Sequence, residues 1–216
     1  MARPEPKNLL LVAPLGLLLV TWIGVQYSSR FFDVQVAWIP SFLIYYMSMG
    51  LMVFAARRFI GVDVLGLSLE LEPLPARSRL ATGVIVPPLL ALPVCILYIA
   101  EVPLLFLVYC LLFALVNAVT EEAFWRGLLF FRPGNRTFTM LFSAALFTGA
   151  HYMLWGRYLE AKGWFLYPVL GATFVMGLLW MWFVQKERNL AYPMISHFLV
   201  NVLNLSVAVF YGLVPA

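Results

Sequence analysis

The sequence predicts an all-α polytopic membrane protein of about seven transmembrane helices, and three observations lead there. First, 63% of the 216 residues are hydrophobic and only 11% are charged. Soluble domains carry roughly 25% charged residues, and disordered chains need more charge and less hydrophobicity still. Second, apolar runs of about 20 residues, the length that spans a bilayer as a helix, recur along the whole chain. Third, the basic residues sort to alternate loops, as they do in membrane proteins with a fixed orientation.

The expected spans are Asn8–Tyr27, Val36–Ala56, Leu80–Ala100, Val102–Phe131, Thr137–Trp155, Phe165–Gln185 and Leu190–Val214. Arg3 and Lys7 precede the first run as they would in a signal peptide. The run is long and no small-x-small site closes it cleanly, so it is read as a retained span. Pro87, Pro88 and Pro93 lie in the third span, where each removes a backbone donor, so a kinked or broken helix is expected. The one long connection, Arg57–Arg79, mixes Gly, Pro and both signs of charge. Its Val62–Leu71 stretch is expected to lie along the membrane interface. Residues 1–216 are read as a single integral-membrane domain, with residues 102–204 as the region that carries the catalytic motifs.

With the N-terminus in the cytoplasm, ten bases fall inside: Arg3, Lys7, Arg57, Arg58, Arg77, Arg79, Arg132, Arg136, Lys186 and Arg188. Only Arg30, Arg157 and Lys162 fall outside, a clear positive-inside bias. Tyr152, Trp155, Tyr158 and Trp164 bracket the fifth-to-sixth loop as an aromatic belt would. The net charge of +4 is accounted for by orientation, so no nucleic-acid partner is expected. Cys95 and Cys110 sit in apolar runs and read as inert buried thiols, not as a disulfide or metal pair.

The fourth span contains Glu121, Glu122 and Arg126 in an otherwise apolar stretch. Each ionised group at mid-bilayer costs roughly 2.5–3.5 kcal/mol, so such residues face a bundle interior or a cavity and are functional candidates. Glu122 and Arg126 are four apart, share a helix face and can pair. Glu121 is rotated by about 100° and points elsewhere. The chain has two histidines, and both His151 and His197 fall within expected spans. His197 shares a face with Asn201. Counting rise along the expected helices puts Glu121 about 15 Å, His197 about 10 Å and His151 about 20 Å from the cytoplasmic ends. Convergence on one cavity then requires a tilted or late-starting fifth helix.

A carboxylate and an imidazole sharing a water can serve as general base and acid. A neutral His and an Asn facing them can stabilise an oxyanion. The same Glu121, His151 and His197 also make up the three-ligand set of a catalytic zinc. No His-Glu-x-x-His pattern, Gly-x-Ser-x-Gly elbow or phosphate loop is present. Ser143, Ser196 and Ser206 read as helix-packing residues. A proton-relaying transporter would be expected to show repeated halves, yet the polar residues are confined to Glu121–Asn201.

Glu121-Glu122-x-x-x-Arg126, Phe147-x-x-x-His151 and His197-x-x-x-Asn201, in this order on three helices, resemble the three motifs of the CPBP family. These are the CAAX proteases and bacteriocin-processing enzymes, including the type II CAAX prenyl endopeptidases. The resemblance implies an intramembrane endopeptidase acting on a membrane-associated peptide, whether prenylated or secreted. It implies that Glu121 and His151 activate water and that His197 and Asn201 stabilise the oxyanion. Glu122 and Arg126 would orient the site, and Phe147 would pack it. No cofactor is favoured, and zinc held by Glu121, His151 and His197 stands as the alternative. A non-enzymatic immunity or assembly factor of the same fold is the competing reading. The expected location is the plasma or inner membrane of a prokaryote.

Overall fold

The structure is a computed structural model that describes residues 10–33, 36–67, 69, 78–158 and 166–213. The fold is all-helical. Its helices are α1 (Val12–Phe31), α2 (Trp38–Ala55), α3 (Ser78–Tyr98), α4 (Leu104–Glu122), α5 (Arg136–Tyr158), α6 (Leu166–Glu187), α7 (Ala191–Leu203) and α8 (Ser206–Phe210). Wider π turns prolong two of them, α2 through Ala56–Ile60 and α4 through Ala123–Leu128. α1, α2, α3, α4 and α6 are long and apolar enough to cross a membrane, and α7 is a shorter apolar helix. α5 has the length, at 23 residues, but is less apolar because it begins on Arg136 and carries His151.

The seven expected spans correspond to α1 through α7, with the seventh divided between α7 and α8. The division falls at Leu205, which takes a left-handed φ of 51°. Local sequence explains several ends. Gly61, at φ 73°, closes the prolonged α2, a conformation that costs a residue with a Cβ more. Asn135 Oδ1 accepts the Phe138 N–H at 3.1 Å at the start of α5. Asn189 Oδ1 accepts the Ala191 N–H at 2.8 Å at the start of α7. Both supply acceptors for N–H groups that have no partner within their helix.

Large apolar side chains such as Leu19, Ile23, Leu89, Ile96, Leu97, Leu104 and Leu112 are exposed. In water such a surface would be a liability; in a bilayer it is the lipid-facing side of the bundle. Polar residues turn inward or bond to their own helix. Thr21 Oγ1 donates to Leu17 O at 2.7 Å and Ser41 Oγ to Ala37 O at 3.2 Å, which satisfies hydroxyls where water is absent.

The third span is not broken: α3 runs as one helix through Pro87, Pro88 and Pro93. In the Val62–Leu71 stretch, as far as it is described, Val62, Val64 and Leu67 are buried in the core, so these side chains meet protein and not headgroups. Of the expected aromatic belt, Trp155 is partly buried and lines a cavity, whereas Tyr152 is exposed. The Tyr158 side chain, Trp164, Lys162, Arg3, Lys7 and Arg77 lie outside the described side chains.

Candidate active site

The site is built around the end of α4. Asn117, Glu121 and Glu122 are buried on that helix, and Phe124 through Leu128 are all buried in the π turn that follows. A π turn inserts an extra residue into the helical ladder and recurs at functional sites. Here it takes the chain through the bundle centre, where every side of the helix is covered. Gly127 makes that possible: a Cβ on it would collide with Val64 and meet Leu190 Cδ1 at 3.2 Å. Ser143 Oγ donates to Trp125 O at 2.8 Å, satisfying a carbonyl there.

Arg126 is fully buried, as is its partner Glu122, with Nη1 3.0 Å from Glu122 Oε1. The contact is an ion pair without hydrogen-bond alignment, since no guanidinium nitrogen has a hydrogen-bond partner among the described residues. Two aromatic faces complete its surroundings. The guanidinium carbon lies 4.2 Å from the Phe147 ring centroid and 5.1 Å from that of Trp180, an attraction that strengthens on desolvation. Gly177 lets α6 approach α5 at this level, where a Cβ would stand 3.2 Å from Ala144.

Glu122 Oε1 also faces His197 Nδ1, at 2.8 Å. A carboxylate only accepts, so Nδ1 carries the hydrogen and Nε2 is directed at Glu121. His197 Nε2 lies 3.5 Å from Glu121 Oε2, and His151 Nε2 lies 4.0 Å from the same oxygen. His151 Nδ1 is 2.9 Å from Phe147 O. A carbonyl accepts only, so that nitrogen also carries its hydrogen and Nε2 is left to face the carboxylate. Trp180 stacks on the His197 ring at 4.6 Å and 22°, and its Nε1 donates to Ser196 Oγ at 3.0 Å.

The structure thus brings Glu121, Glu122, Arg126, Phe147, His151 and His197 into one buried cluster. Asn201 joins it from the cavity side. A cavity of about 300 Å³ lies among α3, α5, α6, α7 and α8, and His151, His197, Asn201, Phe147 and Trp180 form part of its wall. Its remaining lining is largely apolar, including Leu90, Val94 and Met176. Glu121 lies behind the two imidazoles and does not line the cavity. Asn201 is buried and its Nδ2 has no hydrogen-bond partner among the described residues, so a donor waits at the cavity wall.

Sequence reasoning gave no role to three residues that the site uses. Asn117 Nδ2 lies 3.4 Å from Glu121 Oε2 and 3.2 Å from His197 Nε2. The Tyr46 hydroxyl donates to Asn117 Oδ1 at 2.7 Å, and the Tyr45 hydroxyl accepts from Trp125 Nε1 at 3.0 Å. An amide one helical turn from a buried carboxylate is a usable signal for Asn117. Two tyrosines in an apolar span carry none.

Among the described residues no three His, Cys, Asp or Glu side chains are grouped so as to hold a metal ion. His197 Nε2, the atom that would face the ion, is already within reach of the Asn117 amide.

Residues 103–203 match the family model described as type II CAAX prenyl endopeptidase Rce1-like. No curated protein and no solved structure matches the chain. The matched stretch begins one residue before α4 and ends with α7, so it contains every residue of the three motifs. Residues 103–203 are thus similar to the Rce1-like type II CAAX prenyl endopeptidases, the family that the three motifs resemble.

Proposed function

We propose that the chain is an intramembrane endopeptidase that hydrolyses a peptide bond of a membrane-associated substrate with a water activated by Glu121 and His151. The observation that carries this reading is the placement of Glu121 Oε2 within 3.5 and 4.0 Å of two imidazole nitrogens. The two imidazoles form part of the wall of a largely apolar cavity, which also holds an Asn201 amide nitrogen without a partner among the described residues.

The substrate chain lies in the cavity with its scissile carbonyl toward His197 and Asn201. A water held between Glu121 and His151 loses a proton to Glu121 as its oxygen attacks the carbonyl carbon. With one guanidinium against two carboxylates, the buried set has the charge to accept that proton. The carbonyl oxygen becomes an oxyanion, which the Asn201 Nδ2–H stabilises. His197 forms part of the same wall, with Nε2 turned to Glu121 and the Asn117 amide. The C–N bond then breaks and the leaving amine takes the proton.

Glu122 and Arg126 do not touch the reacting atoms in this scheme. Glu122 holds His197 by Nδ1, and Arg126 holds Glu122. The expected location is a multi-pass position in the membrane with a lipid-anchored or membrane-inserted peptide as partner. The test is cleavage of membrane-anchored peptides, with and without a prenylated C-terminal cysteine, by purified protein in detergent or vesicles. Wild type is expected to release a defined fragment and Asn201→Ala to release it at least about 10²-fold more slowly, the usual effect of one lost oxyanion donor. Binding without any hydrolysis across such a set would favour the non-enzymatic reading.

A further inference from the structure

Two adjacent tyrosines of α2, a helix outside the matched residues, grip α4 on either side of Glu121. Tyr46 reaches Asn117, four residues before it, and Tyr45 reaches Trp125, four residues after it. Asn117 is 3% exposed. Its amide nitrogen stands between Glu121 Oε2 at 3.4 Å and His197 Nε2 at 3.2 Å, so two hydrogens face two acceptors. An amide can turn end for end, and its oxygen would then face the carboxylate. The Tyr46 hydroxyl opposes this: turning the amide would break the bond it donates to Oδ1 at 2.7 Å and would set Oδ1 against the two acceptors, so the NH₂ end stays toward the pair.

We infer that Asn117, held by Tyr46, is a positioning residue for the Glu121–His197 pair, and that the N-terminal helices enter the site through it. The kinetic consequence rests on the hydrolytic reading above; the geometric one does not. Neither residue touches substrate: both are absent from the cavity wall. Their loss therefore lowers kcat and leaves KM nearly unchanged. Tyr46 acts only through Asn117, so the two losses are not additive.

The test uses Tyr46→Phe, Asn117→Ala and the double variant of the full chain. Tyr46→Phe keeps the ring and is the gentler change. About tenfold lower kcat is expected for it, the effect of one ordinary hydrogen bond, with a larger loss for Asn117→Ala and none further in the double. Selective ¹⁵N-histidine labelling gives a second readout, because the chain has two histidines. The His197 Nε2 resonance is expected to shift in both single variants while that of His151 stays in place. Additive losses, unchanged kcat in Tyr46→Phe, or an unmoved His197 resonance in both variants would overturn the assignment. If wild type cleaves no peptide at all, the hydrolytic reading fails and the spectra alone decide this inference.

Discussion

His197 Nδ1 lies 2.8 Å from Glu122 Oε1, the same oxygen that faces Arg126 Nη1 at 3.0 Å. One carboxylate oxygen thus joins α7 to the π turn of α4, and the ring held by it is the one whose far nitrogen faces Glu121. Glu122→Gln keeps the shape of this link but makes it neutral, and the amide can present an N–H to a nitrogen that already carries one. A loss of about 10²-fold or more in kcat is expected, read from peptide-cleavage kinetics.

Arg126 tests the energetic side of the same link. It is wholly buried between Phe147 and Trp180. Arg126→Ala strands Glu122 and should cost roughly 3–5 kcal/mol, the penalty for breaking a buried pair. Arg126→Lys should recover only part of this, since a compact ammonium cannot stack on two rings. Thermal or denaturant unfolding in detergent measures both. An unchanged midpoint for Arg126→Ala would mean that the pair does not hold the fold.

Glu121→Gln and His151→Ala are each expected to abolish turnover in protein that still inserts and unfolds cooperatively. Glu121 has no arginine or lysine partner in the cluster as described, so its loss strands no cation. Near-normal cleavage by well-folded Glu121→Gln protein would remove it as the base.

Gly127 makes a prediction that involves no chemistry. A methyl group there would collide with Val64. Gly127→Ala should destabilise the protein by about 1–3 kcal/mol, the usual range for overpacking. Val64→Ala in the same chain should restore a large part of the loss while costing stability on its own. Denaturation midpoints of the two single variants and the double settle the sign of the coupling.

Much of the fold was legible in the sequence because a helix must be about 20 apolar residues long to cross a bilayer, and α1 through α6 satisfy that length. The cluster was legible for a related reason. Glu121, Glu122, Arg126, His151 and His197 are costly in lipid and so announce themselves against an apolar background. What was not legible depended on packing between distant segments. Val62, Val64 and Leu67 look amphipathic in isolation, but they are buried in the core, Val64 against Gly127, and a one-dimensional pattern does not distinguish a headgroup surface from a protein one. The prolines of α3 remove backbone donors in any context, but whether the helix breaks depends on its neighbours. Tyr45 and Tyr46 are ordinary residues for an apolar span, and only the folded chain shows which polar atoms their hydroxyls meet. Depth counting left His151 and Glu121 apart, whereas the folded α5 brings Nε2 to 4.0 Å from the carboxylate.

The most direct measurement combines turnover with elemental analysis of one preparation. Purified wild-type protein is stripped of metal, its residual metal per chain is determined, and cleavage of an accepted membrane-anchored peptide is followed beside that by Glu121→Gln protein. Hydrolysis by Glu121 and His151 predicts sustained turnover by wild type with far less than one metal ion per chain, and none by the variant. Activity that rises in proportion to bound zinc, vanishes on its removal and returns with zinc alone would contradict it.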